Sequence, residues 1–511
     1  MIFSSLQFLF LFLPAVLCAY LLLFRRVMRG GHRGLWLHLS HLFLLFASLL
    51  FYFIGEQFLV WIVIASTLID YICGLIISGG WRREGPVTLA EGGHRTRLQR
   101  AGLCLSICSN LAFLGFFKYF NFGVDSFNRL VTLIGLDSLA LHNVMQVTLP
   151  LGISFYTFQS MSYTIDVYRG KATATRNLID FACYVTMFPQ LVAGPIIRYR
   201  DIAGQLAGRT ITVEGFASGA GRFIFGLGKK VLIANTVAVA ADGIFGLPLQ
   251  DVTPSLAWLA VVAYTLQIYF DFSGYSDMAI GLGRMLGFNY AENFNYPYTA
   301  SSMRDFWRRW HISLSSWFRD YLYIPLGGNR LTSGRTMLNL VTVFFLCGLW
   351  HGAEWSFVIW GLYHGFFLAV ERSRFVAERL KRRKPLAHVY ALSVILAGWV
   401  IFRAESFHQA AVFLKAMAGI GPGGVTAYGP GRYLTGDVAA AIIAGMIFAT
   451  PVWPRLRGAW ARITGSERRS RHAAWALLTE GIRLIGLAVL MVLSVMCLAA
   501  GTYNPFIYFR F

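Results

Sequence analysis

An all-α, polytopic transmembrane bundle is the fold class this sequence predicts, and three observations predict it. Only 14% of its 511 residues are charged while 56% are hydrophobic, whereas soluble domains carry roughly 25% charged residues. The apolar residues fall in runs of roughly 17 to 25, enough to cross a hydrocarbon layer about 30 Å thick at about 1.5 Å per helical residue. The runs are continuous and do not alternate, which argues against a membrane barrel. The same composition excludes a secreted disulfide scaffold, a disordered tail protein and a single-span receptor.

Taken in order, the first run, 5–24, has no basic residue before it and Arg25, Arg26, Arg29 and Arg33 after it. That is the reverse of a cleavable signal peptide, and by the positive-inside rule it puts the N-terminus outside. Runs follow at 36–54, 57–78, 101–119 and 146–165, and the basic loops 81–100 and 168–176 alternate as inside loops. The segment 179–193 ends in Pro189 and Gly194-Pro195 and reads as a short or re-entrant helix, because proline ends helices and the freed carbonyls need partners. Later runs lie near 215–245, 255–287, 336–350, 353–371, 388–403, 437–453 and 480–500, with basic inside stretches at 372–384 and 455–471. The sum is about 11 to 13 crossings, with the C-terminus outside. The glycine-rich connector 419–431 reads as an outside loop, and no internal repeat appears. One integral-membrane domain over 1–511 is the economical organisation: N-terminal spans in 1–145, a core in 146–371, and further spans with an aromatic tail in 372–511.

The formal charge is 45 − 24 = +21. Because Lys and Arg sit in short connectors, the excess reads as orientation signals and contact with membrane lipid, with no nucleic-acid partner. The seven cysteines lie in or beside apolar runs and read as buried hydrophobes, and no Cys/His group completes a metal site around Cys104 and Cys108.

Two histidines stand out. His351 sits in CGLWHGAEW at 347–355, at the junction of two apolar runs, where an ionisable group is costly unless it faces a cavity. His311 sits in WRRWHISLS at 307–315. A lone buried histidine is ordinarily a hydrogen-bonded packing residue. Gly348 and Gly352 beside His351 remove bulk, either for a substrate approaching the ring or for a packed helix. A neutral imidazole accepts a hydroxyl proton near neutral pH, so His351 is the first candidate for a general base. Asp271, Tyr275 and Asp277 interrupt an apolar run; the carboxylates either line an aqueous cavity or pair with Lys229, Lys230 or an arginine. Gln159, Ser160, Tyr163 and Asp166 share one helix face, either towards that cavity or as ordinary packing. Arg304, Arg308, Arg309 and Arg319 either hold the phosphates of a donor or snorkel to headgroups. Trp310 and Trp350, beside the two histidines, complete the candidate binding residues.

The ordered motifs FQSMSYTIDVYRG (158–170), FPQLVAGPIIRY (188–199), DFSGYSDMAIGLGRMLGF (271–288), NFNYPYTASSMRDFWRRWHISLSSWFRDYLYIPLGGNR (293–330) and GLWHGAEWSFVIWGLYHG (348–365) resemble the membrane-bound O-acyltransferase family, in its alginate O-acetyltransferase-like branch. The resemblance spans most of the chain. It implies that His351 carries catalysis, that His311 supports it near the cytoplasmic mouth, and that helices surround a central funnel or tunnel where a cytosolic acyl thioester meets an outside acceptor. It implies acetyl-CoA as donor substrate with no bound cofactor, an exported polysaccharide such as alginate as acceptor, a periplasmic esterase-like acetyltransferase as partner, and the bacterial inner membrane as location. The ending YNPFIYFRF at 503–511 resembles the aromatic motif of the companion peptide in teichoic acid D-alanylation, which would make Tyr508 an acyl carrier; the alternative is an interfacial aromatic anchor. Rival readings are transfer of D-alanine or another acyl group to a different envelope polymer, a proton-coupled transporter along His351, Asp271, Asp277 and Asp166, and a scaffold without chemistry.

Overall fold

The computed structural model describes residues 2–28, 33–79, 88–142, 144–421, 428–452, 454–456, 458 and 469–505. The stretches 419–431 and 455–471 fall partly outside these, and Tyr508 falls wholly outside. Among the described residues the chain is helical, with no strand. It begins with Leu13–Met28 (α1), Arg33–Glu56 (α2), Val60–Ser78 (α3), Arg97–Leu133 (α4) and Ile153–Arg169 (α5), followed by the short helices Leu178–Thr186 (α6), Phe188–Leu191 (α7) and Tyr199–Ala207 (α8). Val213–Gly228 (α9), Asn235–Phe245 (α10) and Pro254–Met285 (α11) come next, then Met303–Arg309 (α12), Ile312–Phe318 (α13), Ser333–His351 (α14) and Trp355–Val370 (α15). The remainder is Arg374–Arg382 (α16), Lys384–Arg403 (α17), Phe407–Met417 (α18), Gly436–Phe448 (α19) and Arg469–Ala499 (α20).

Among the described residues, eight stretches are long and apolar enough to cross a membrane, and the helices Trp355–Val370 and Gly436–Phe448 are shorter apolar ones. One of the eight, residues 34–78, holds both α2 and α3. It turns back at Gln57, whose φ is +49°. Leu151 donates to Glu56 at one end of the bundle, while Gln99 donates to the Ile77 carbonyl at the other. The expected runs at 146–165 and 179–193 are absent from the eight. Helix α5 buries Thr157, Gln159, Ser160, Ser162, Thr164 and Asp166, a polarity that lipid would penalise and that other helices can satisfy. The segment 179–193 breaks after Thr186 into the single turn of α7, with Pro189 in its first turn, as expected of a segment punctuated by proline.

Local chemistry starts and joins these helices. Helix α4 opens on a capping box, Gln99 N–H to Thr96 Oγ1 at 3.2 Å and Thr96 N–H to Gln99 Oε1 at 2.9 Å. Helices α9 and α11 meet through Gly219 and Gly281 and, two turns on, Gly226 and Gly274: a Cβ at Gly226 would lie 2.6 Å from the Gly274 oxygen, and one at Gly281 2.6 Å from the Gly219 oxygen. The carboxylates of α11 pair as the second sequence alternative has it: Asp277 with Lys229 at 2.7 Å and Arg222 at 2.7 Å, and Asp271 with Lys230.

Gly226→Ala should lower the stability of the detergent-solubilised protein by about 1–3 kcal/mol, the usual cost of overpacking. Gly115→Ala, where an added Cβ meets nothing within 4 Å, should cause no loss. Thermal melting of the two variants side by side checks this.

Candidate active site

His351 is the last residue of α14, and its ring is clamped by aromatic edges: Trp350 at 4.9 Å between centroids, Trp360 at 5.0 Å and Phe402 at 5.5 Å. The glycines beside it serve packing. A side chain at Gly348 would strike the Phe357 carbonyl of α15, and one at Gly352 the Phe357 ring. His351 is nevertheless not sealed in. It lines a cavity of about 110 Å³ with Trp350, Lys118, Ser154, Phe155 and, towards the end of α2, Glu56. Its Nε2 is buried and has no hydrogen-bond partner among the described residues.

His311 is fully buried beside the same tryptophan, 5.9 Å from Trp350 between centroids, so one indole stands between two imidazoles. Its backbone, at φ +43°, is left-handed, a conformation rare outside glycine and often found at functional positions. The turn aims Nδ1 at Asn293 Oδ1, 3.3 Å away. That oxygen also accepts the Ser313 N–H at 3.1 Å and the Ser313 hydroxyl at 2.9 Å, so it is an acceptor and Nδ1 carries the hydrogen. Nε2 of His311 is left as a bare acceptor, without a partner among the described residues.

The other sequence candidates distribute unevenly. Trp350 is central: its Nε1 donates to the Ser154 carbonyl at 3.1 Å. Asp271 and Tyr275 lie on α11, one and three residues from Phe272, whose ring meets His311 edge-on at 4.6 Å; neither lines the 110 Å³ cavity. Tyr275 stacks on Phe3 at 4.5 Å. Gln159 is buried on α5, and its carbonyl accepts from Ser162 at 2.7 Å. Trp310 packs on Trp399 at 4.9 Å. Arg304 and Arg308 are exposed on α12, and Arg309 pairs with Asp305 at 2.8 Å. Helix α12 is itself tied to the end of α15 by Glu371, which accepts from the Met303 N–H at 2.5 Å and the Arg304 N–H at 3.1 Å. Burial pushes the Glu371 carboxyl above its usual range against the pull of these two donors.

Another set of cations gathers at the far end of α5, around Arg169 and Lys171. These two residues line two cavities of about 410 Å³ each, one with His94, Arg95 and Arg100, the other with Arg200 and Asp320. Burial works to raise the Asp320 carboxyl, but Arg319 and Arg198 outweigh it and hold it below the ordinary carboxylate value. Tyr508, proposed from sequence as a carrier, lies outside the described residues. The chain leading to it is anchored: Asn504 donates to the Ser4 carbonyl at 3.1 Å and accepts from Asn235 at 3.0 Å, and the Pro505 carbonyl accepts from Lys230, the partner of Asp271.

Three neighbours were missed from sequence. Asn293 carries no local signal. Lys118 is the only charged residue of the apolar run 101–119, and His364 stands in GLYHG at 361–365, an echo of GLWHG at 348–352; both patterns were available. His364 is buried against Trp360 at 4.7 Å.

The family model for the membrane-bound O-acyltransferase family matches residues 169–408, which include both histidines. The probable alginate O-acetylase AlgI of Azotobacter vinelandii is 42% identical over the whole of both chains. The chain belongs to the membrane-bound O-acyltransferase family. The peptidoglycan O-acetyltransferase of Helicobacter pylori is 34% identical over 82% of this chain and 80% of its own. The teichoic acid D-alanyltransferase of Bacillus subtilis is 29% identical over 52% and 71%. As a member of this family the protein is a multi-pass membrane O-acyltransferase.

Asn293→Ala removes the acceptor that orients His311. Acyl transfer should fall on the order of 10²-fold, the scale of a misplaced catalytic group, with the protein still inserted in the membrane. A transfer assay on isolated membranes, normalised to protein amount, reads it.

Proposed function

We propose that this enzyme takes acetyl groups from a cytosolic thioester, acetyl-CoA, and passes them across the inner membrane for O-acetylation of an exported polysaccharide such as alginate. A periplasmic esterase-like acetyltransferase completes delivery, and both termini face the periplasm. The single observation that carries the reading is His351 in the lining of a cavity, its Nε2 without a partner among the described residues, in a chain similar from end to end to a probable alginate O-acetylase. As the acceptor oxygen bonds to the thioester carbonyl carbon, the imidazole of His351 takes its proton. The C–S bond then breaks, and the imidazolium returns the proton to the departing thiolate.

Two features support a route from opposite sides. Ser154 lines the His351 cavity and Arg169 the basic cavities, and fifteen helical residues separate them by about 22 Å. The phosphates of the donor would dock at Arg169 and Lys171 while its acyl group reaches His351. Tyr508 is the proposed first acceptor, supported by the anchoring of Pro505 at the Lys230–Asp271 pair.

Cells whose only copy carries His351→Ala should export polymer with no O-acetyl groups, and Tyr508→Phe should do the same because phenylalanine keeps the ring and lacks the nucleophile. Full acetylation in His351→Ala cells would overturn the reading. The double variant Arg169→Ala/Lys171→Ala should raise the KM for acetyl-CoA roughly tenfold or more, the size of one lost charge-assisted hydrogen bond, at little change in kcat.

A further inference from the structure

Helix α14 ends inside the bundle, and its end has no cap of its own. The last four carbonyls of an α-helix have no partner within the helix, and a glycine one residue past the end ordinarily satisfies them by turning left-handed. Gly352 occupies that place, yet its φ is −165° and the chain leaves extended. The Gly352 N–H reaches only the Gly348 carbonyl, at 3.3 Å. The other three are held by two consecutive residues of α4. The Tyr119 hydroxyl donates to Leu349, and the Lys118 ammonium donates to Trp350 and, at 3.1 Å, to His351. The third Lys118 contact is to the Ser154 hydroxyl at 3.3 Å, at the start of α5.

Lys118 is an expensive residue to keep in an apolar helix. It is 7% exposed and forms no ion pair with a carboxylate among the described residues. Its charge is instead matched by the partial negative charge that gathers at a helix C-terminus. A neutral side chain would fill the space at lower desolvation cost, so packing alone does not account for it. What an ammonium does here, and a methyl cannot, is hold three oxygens on two helices at once, and the residue so held is His351.

We propose that Lys118, assisted by Tyr119, is the positioning residue of the acyl-transfer site: its ammonium caps α14 in trans and fixes the imidazole of His351 against the cavity. Lys118 takes no part in bond making, since its three N–H groups are already engaged by Ser154, Trp350 and His351. The proposal rests on the reading of His351 as the base, and it predicts that removing the charge lowers turnover without unfolding the bundle.

The test uses full-length protein in membranes of cells that depend on it for polymer O-acetylation. Lys118→Met keeps the length of the stem and removes the donors; acetylation should fall about 100-fold at unchanged protein level. Lys118→Cys should be equally impaired, and treatment of isolated membranes with 2-bromoethylamine, which rebuilds an ammonium at the same reach, should restore transfer more than tenfold; the same reagent should do nothing for Lys118→Met. Tyr119→Phe, which loses one neutral hydrogen bond, should fall about tenfold. Acetylation within threefold of wild type in Lys118→Met, or in untreated Lys118→Cys, overturns the proposal, as does a folded Lys118→Cys protein that aminoethylation fails to rescue. If Lys118→Met does not accumulate, the cysteine variant decides alone. His351→Ala run in parallel separates the two ideas: activity there sinks the parent reading, whereas an inactive His351→Ala beside an active Lys118→Met sinks only this one.

Discussion

Inside an apolar bundle every backbone carbonyl must find a partner within the protein, because neither lipid nor bulk water can supply one. That constraint is felt most sharply where α14 stops at His351. To let a helix end there, α4 contributes a lysine and a tyrosine, α5 contributes Ser154, and the Trp350 indole in turn donates to the Ser154 carbonyl. The three elements are thereby locked around the imidazole. The candidate site exists because a backbone problem is solved by side chains of distant helices.

Two polar residues of α5 are tied to other elements: Ser106, which donates to Asp70 at 2.6 Å, meets Thr164 at 2.8 Å, while Asp166 accepts from Tyr321 at 2.7 Å and pairs with Arg200 at 3.6 Å. The helix links two chemically different ends. Around Ser154 the surroundings are aromatic, with two histidines and a lysine; around Arg169 they are cationic.

Aromatic rings do the remaining positioning. Trp350, Trp360, Phe402, Phe155 and Phe272 meet the two catalytic candidates at their edges or faces. Such rings have few rotatable bonds and exclude water, so an imidazole among them is both oriented and dry on all sides except its cavity. Glycine contacts between α14 and α15 bring these rings close enough to do so. The small residues flanking His351 therefore shape the site through helix packing, not by opening a path to the ring.

The sequence by itself determined the class and the family and singled out two histidines, because long apolar runs, basic connectors and an ordered set of motifs are properties of neighbouring residues. It also held the lone charge of Lys118 and the repeated GLxHG pattern, which were legible and passed over. Only the tertiary structure decided that Asp271 and Asp277 are ion-paired, that one indole separates His311 from His351, that Asn293 sets the tautomer of His311, and that α4 caps α14. The physical reason is the same in each case: these facts depend on hydrogen bonds and ring contacts between residues 18 to 233 positions apart. No local periodicity encodes such contacts; they arise only when helices that each satisfy their own backbone are packed against one that cannot.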